Sequence, residues 1–191
     1  MQAISGTEQT LGKIRRLRPI FCQVSMAFSA LAAIVFSSEA AMARVSIGAD
    51  LDPLVIPFDG AGNEGATNGA GVALRLGSQI RLPMLALTPE LALGFNSFGS
   101  GPDIYRGLGG LRLGLGEVLR PGVMAHVGAG SSSHGAEKYT ALSYDAGVFL
   151  DFTLLPLLDI GGHASYNYLA AGSGLPAFDW GALGVHANLV F

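Results

Sequence analysis

Residues 180–191 read WGALGVHANLVF, and the alternation in this stretch decides the fold. Leu183, Val185, Ala187, Leu189 and Phe191 fall on one side of an extended chain, and Ala182, Gly184, His186, Asn188 and Val190 on the other, because successive side chains of a strand point to opposite faces. A helix would need apolar residues every three or four positions. The segment therefore reads as a strand with one apolar face and one face of small and polar residues.

The same period-two pattern recurs seven times upstream, over 44–52, 71–82, 89–98, 104–115, 119–129, 139–152 and 158–169. In 71–82, Val72, Leu74, Leu76, Ile80 and Leu82 oppose Arg75, Gly77, Gln79 and Arg81; in 158–169, Ile160, Ala164, Tyr166 and Tyr168 oppose Asp159, Gly161, His163, Ser165 and Asn167. Eight strands are predicted, and no helix-period stretch of useful length competes with them. A soluble sandwich also alternates, but its polar face meets bulk water and carries many charged side chains. Here that face mixes Gly and Ala with Arg, Asp, His, Asn and Ser, and the only lysine after residue 43 is Lys138. Lipid outside and a narrow, packed, partly polar interior fit this pattern.

Connection lengths agree. Those after the first, third, fifth and seventh strands, 53–70, 99–103, 130–138 and 170–179, are rich in Gly, Ser, Asn, Asp or Pro. They are mostly longer than 83–88, 116–118 and 153–157, as when one barrel end carries extracellular loops and the other periplasmic turns. An even strand number puts both termini on the periplasmic side. Phe98, Tyr105, Tyr139, Tyr168 and Trp180 near one end, and Phe152 and Phe191 near the other, are read as two interfacial aromatic belts.

The first 43 residues have the layout of a secretory signal. Lys13, Arg15, Arg16 and Arg18 precede an apolar stretch from Pro19 to Phe36, and Ala41-Met42-Ala43 supplies the small residues for cleavage before Arg44. The expected domains are thus a signal peptide, 1–43, and a barrel, 44–191. Cys22 lies in front of the apolar stretch, where a lipoprotein cysteine would not be, and no cysteine follows it; disulfides and thiolate metal sites are excluded from the mature chain. Losing four of eleven basic and two of fourteen acidic residues leaves 7 − 12 = −5, which excludes a nucleic-acid partner.

These features together resemble the small eight-stranded outer-membrane β-barrel proteins, similar to the barrel domain of OmpA and to OmpX. The resemblance spans 44–191 and rests on pattern, its most specific element being Leu183, Val185, Ala187, Leu189 and Phe191 at the close of the last strand. It implies an all-β, antiparallel up-and-down transmembrane barrel in the outer membrane, with the last strand as the signal read by the barrel-assembly machinery. The peptidoglycan-binding domain of two-domain members has no counterpart here, so a wall-anchoring role is not carried over.

An eight-stranded barrel is just wide enough for side chains to fill. Arg75, Arg81, Glu90, Arg112, Arg120, His126, Asp145, Asp151, Asp159, His163 and His186 all fall on the inward face and are expected to form a lumen network of ion pairs and hydrogen bonds, since unpaired buried charges are costly. Histidines 126, 163 and 186 come from three strands without chelating spacing, so no metal is expected, and no cofactor. Ser131, Ser132, Ser133, His134 and Glu137 contain the residue types of a hydrolase triad but sit in an expected loop, without the rigid base such a triad needs. The stretch 59–65, DGAGNEG, lacks the Lys-Ser or Lys-Thr of a phosphate loop.

The expected function is therefore a non-enzymatic structural or surface-interaction barrel with a plugged lumen. Its partners would be outer-membrane lipid, the assembly machinery and an extracellular ligand at the long loops, and it would be a monomer. The alternatives are a narrow porin-like channel, a lipid-modifying enzyme with a His and a Ser on a lipid-facing strand, and a soluble lipocalin-like barrel with the two faces inverted.

Overall fold

The computed structural model describes residues 43–191 except 59–62, 64, 83, 135–136, 156 and 173–174, and the side chains of 134, 137, 154 and 155 are also outside the description. The expected leader, with Ala41 and Cys22, lies outside the described residues, as do most of the glycine-rich stretch 59–65 and the side chains of His134 and Glu137. Ala43 opens the first strand.

The strands are β1 (Ala43–Pro57), β2 (Gly69–Leu82), β3 (Leu85–Phe98), β4 (Asp103–Leu115), β5 (Leu119–His134), β6 (Glu137–Leu155), β7 (Leu158–Leu169) and β8 (Phe178–Val190). Each pairs antiparallel with its neighbour in sequence, and β1 pairs with β8, closing the barrel. Closure satisfies every strand edge, which a sheet must achieve to lie in hydrocarbon, where no water can pair a free N–H or C=O.

The alternation read from the sequence is the inside-outside pattern of the barrel. Val45, Ile47, Leu74, Leu93, Val123, Val148, Leu183 and Val185 point outward and are exposed. Outward strand positions are otherwise Leu, Ile, Ala, Gly and aromatic residues with a few Ser, Thr and Pro. Among the described strand residues they carry charge only at Asp103, Lys138 and Asp179, all at the loop end.

Several strands run past their expected ends. β3 begins at Leu85, so the β2–β3 connection is a tight hairpin with Leu82 opposite Leu85 and Met84 in the left-handed region at φ 61°. Of the segment 130–138, expected to be a loop, residues 130–134 and 137–138 are ladder: Gly130 pairs with Ala141 and so on to His134 with Glu137. The serines there have no turn to form, and each strand offers the other a complete set of backbone partners. β1 continues past Pro53 through a bulge that shifts its register on both neighbours, between Asp52 and Val55 against β2 and between Leu51 and Leu54 against β8. A bulge accommodates the missing proline N–H and inverts the parity of the strand, so that Asp52 and then Val55 are the buried positions.

The expected aromatic belt at the loop end is corrected. Phe98, Tyr139 and Trp180 are buried inside the barrel, packed with Val55, Ile104, Leu169, Phe178 and Ala182. They share the parity of the inward residues Asn96, Asp145 and His186, and a strand cannot turn a side chain to its other face without a bulge. Tyr105 and Tyr168 do face outward, with Tyr168 stacked on Tyr144 at 4.9 Å and Tyr105 4.8 Å from Phe95; Phe152 and Phe191 are exposed at the opposite end.

Candidate functional site in the barrel lumen

Side chains inside the barrel form three layers. At the turn end Asp159, almost fully buried, accepts from Thr153 at 2.6 Å and from Arg120 at 3.1 Å, and the Arg81 guanidinium lies 3.5 Å away. Arg120 also donates to Thr153 and to the Gly116 carbonyl, tying the β4–β5 turn to the network.

The middle layer is the most densely charged. Arg75 pairs with Asp50 at 2.7 Å and with Glu90 at 3.5 Å, and Arg112 pairs with Asp151 at 3.2 Å while lying 4.0 Å over the Phe149 ring. His126 bridges two carboxylates, Nδ1 to Asp145 at 2.6 Å and Nε2 to Glu90 at 3.0 Å. His186 Nε2 contacts Asp151 at 2.6 Å, and His163 Nε2 contacts Asp52 at 2.8 Å.

Strand register explains how these groups meet. Glu90 of β3, Gly110 of β4 and His126 of β5 lie in one row around the barrel, so the His126 ring reaches over a residue with no side chain to a carboxylate two strands away. The arrangement recurs for His186, which passes over Gly161 to Asp151. It recurs again for His163, which lies opposite Gly184. A Cβ on Gly161 would stand 2.7 Å from His186 Nε2, and one on Gly184 would stand 2.8 Å from His163 Cε1. Those inward glycines are spacers that let long-range partners touch.

The top layer is the aromatic cap. Arg106, between Asp145 at 3.6 Å and Asn167 at 2.7 Å, lies 4.9 Å over Trp180 and joins the charged layer to the apolar one by a cation–π contact. Phe98 meets Phe178 and Trp180 edge-on at 4.9 and 5.9 Å. Loop residues close over this cluster: Ala66 and Leu175 pack against it, and buried Asn63 donates to the Phe58 and Asp179 carbonyls.

All eleven residues singled out from the sequence face the lumen, and ten of them are buried; Arg81, nearest the turns, is partly exposed. Sequence reasoning passed over Asp50, Asp52, Arg106 and Asn167, although the parity of their strands places each inward. With them, the ion pairs among the described residues join five carboxylates to five guanidiniums, His126 and His186 contact three of those carboxylates, and His163 pairs with a sixth, Asp52. The void left among Arg75, Glu90, Arg112, Arg120, Asp151 and Asn188 measures about 10 Å³, the room of roughly one water. His126, His163 and His186 lie inside the barrel, among charged and polar side chains.

No protein-family model and no curated protein sequence matches the chain. Solved structures do. Neisserial surface protein A is 14% identical over 79% of this chain and all of its own, with a TM-score of 0.61. The N-terminal β-barrel domain of Pseudomonas aeruginosa OprF is 14% identical over 78% of this chain and 97% of its own, with a TM-score of 0.51. The outer membrane enzyme PagL follows at 15% identity over 74% and 97%, with a TM-score of 0.49. The fold of this chain is the small eight-stranded barrel that the first two share.

Proposed function

We propose that the chain is an outer-membrane β-barrel with a closed, non-conducting lumen and a structural or surface-interaction role, exerted at its loop end and without catalysis. The observation that carries this reading is the filling of the lumen from end to end. The Asp159 cluster, the Arg75–Glu90–His126–Asp145 chain and the Phe98–Phe178–Trp180 cap occupy its turn end, middle and loop end in succession, and the void beside Arg75, Glu90 and Arg120 has room for about one water. Membrane residence is supported by an outward face that is free of charge away from the loop end among the described strand residues, since a charge at the midplane of such a barrel costs about 2–4 kcal/mol, and by the fold it shares with outer-membrane proteins.

The loop end offers the contact surface, with the β5–β6 hairpin as its longest element; β6 has 19 residues, against the roughly 9–11 that cross a bilayer. An extracellular ligand would meet that hairpin and the segments 58–68 and 170–177. The outward residues Leu183, Val185, Ala187 and Leu189 with Phe191 are proposed as the surface the assembly machinery reads, and the barrel as a monomer.

Single-channel recording of protein extracted from the membrane fraction tests the closed lumen, with heat-modifiable gel migration as the check of folding. Wild type and Arg120→Ala are both expected to leave the bilayer silent. Stepwise conductance in the folded wild type would overturn the reading in favour of a narrow channel, and recovery in the soluble fraction without detergent would overturn membrane residence.

A further inference from the structure

One pair in the lumen is built differently from the other charged contacts. His163 of β7 and His186 of β8 are diagonal neighbours, since Gly161 pairs with His186 and His163 with Gly184, and their Nδ1 atoms stand 3.2 Å apart. The other nitrogen of each ring is committed. Nε2 of His163 lies 2.8 Å from Asp52 Oδ1, and Nε2 of His186 lies 2.6 Å from Asp151 Oδ1, with Arg112 Nη2 also 3.3 Å from it. An ionised carboxylate can only accept, so Asp52 places the ring hydrogen of His163 on Nε2, and Asp151, at 2.6 Å against 3.3 Å for the competing donor Arg112, favours the same for His186; the two Nδ1 atoms then present lone pairs to each other. Two acceptors at that distance repel unless a cation lies between them.

A third donor is at hand. Asp50 is the direct cross-strand partner of His186, and one carboxylate oxygen of Asp50 and one nitrogen of each histidine all lie within 4.8 Å of one another. Arg75 engages Oδ1 of Asp50, leaving Oδ2 for an ion. We propose that His163, His186 and Asp50 bind one divalent transition-metal ion of the zinc class.

The geometry suits that ion. Tetrahedral zinc with ligands at about 2.0–2.1 Å holds its donors about 3.4 Å apart, close to the observed Nδ1 separation, with the Asp50 oxygen within 4.8 Å of both histidines. Imidazole donors favour zinc, copper or nickel over calcium or magnesium, which take oxygen ligands. Asp52 and Asp151 supply what metal-binding histidines ordinarily have, a carboxylate on the far nitrogen that fixes the tautomer and the ring orientation. His126 is the internal contrast: carboxylates hold both of its nitrogens, so it has no lone pair to give. The site depends on the closed register of β7, β8 and β1 and not on whether the lumen conducts.

The test uses protein purified without a histidine tag, stripped with a chelator and dialysed against micromolar zinc, with bound metal counted by mass spectrometry. Wild type and His126→Gln are expected to hold one zinc per chain. The pair His163→Gln with His186→Gln should bind at least about tenfold more weakly, and Asp151→Asn about 10–100-fold more weakly. Zinc absent from folded wild type, or retained equally by the folded double variant, would overturn the proposal and leave a shared proton as the cation between the rings. Should the double variant not fold, cobalt(II) added to wild type decides: a tetrahedral visible absorption band supports the site, and its absence overturns it.

Discussion

Asp159 shows what a buried charge in this lumen requires. Its carboxylate is 1% exposed and receives Thr153 and Arg120 directly, so its desolvation is offset by charge-assisted hydrogen bonds that only this arrangement provides. Removing one partner of such a pair leaves a charge with neither water nor counter-ion, at a cost of about 3–5 kcal/mol, whereas replacing both by apolar groups of similar volume is often neutral. Arg120→Ala leaves Asp159 only Arg81 at 3.5 Å and is expected to lower stability by up to about 3–5 kcal/mol, and Arg120→Met with Asp159→Leu to recover part of that loss, since the buried Nη2 of Arg81 then loses its carboxylate. Urea titration of barrels folded in lipid vesicles checks this. A double variant as unstable as the single one would mean that the network supplies more than charge compensation. Trp180 carries a different lesson at the same scale. Its place near a strand end suggested an interfacial belt, but its parity with His186 places it inside, and parity prevails because a strand has no other way to turn a side chain.

Among the elements, β4, β7 and β8 work through what they omit. Gly110, Gly161 and Gly184 each interrupt the inward face at the point where a histidine must cross to a carboxylate, and at Gly161 an added Cβ would meet the Leu150 carbonyl as well as His186 and Asp151. Backbone cannot move aside as a side-chain tip can, so Gly161→Ala is expected to separate β6 from β7 locally and break the His186–Asp151 contact. The expected result is a lower urea midpoint and faster amide exchange in β7, with Gly162→Ala as the tolerated comparison, since its Cβ would meet only the Gly184 carbonyl at 3.5 Å. Equal stability of the two variants would refute the spacer role. The bulge in β1 is the other element-scale device. It lets Pro53 sit in a strand and turns Val55 into the aromatic cap, and an unbroken period-two reading of β1 could not foresee it.

For the whole molecule, closure of β8 on β1 is the step that creates an interior. Phe191 donates its backbone N–H to the Val45 carbonyl at 2.9 Å while its ring stays exposed, so the residue both completes the closing seam and displays an aromatic group at the turn end. Deleting Phe191 is expected to reduce outer-membrane yield several-fold while Phe191→Tyr retains it, as read by membrane fractionation and heat-modifiable migration; undiminished yield of the deletion would show that assembly does not use this end. The sequence by itself determined the all-β class, the count of eight strands, the lipid and lumen faces and the inward charges, because period-two patterning is local and one apolar face suffices to set it. Only the tertiary structure decided which inward groups touch. That His126 meets Glu90, that His163 and His186 face each other beside Asp50, and that Trp180 roofs Arg106 all depend on the stagger with which eight strands close. That stagger belongs to the ring of hydrogen-bonded pairs as a whole and to no single strand.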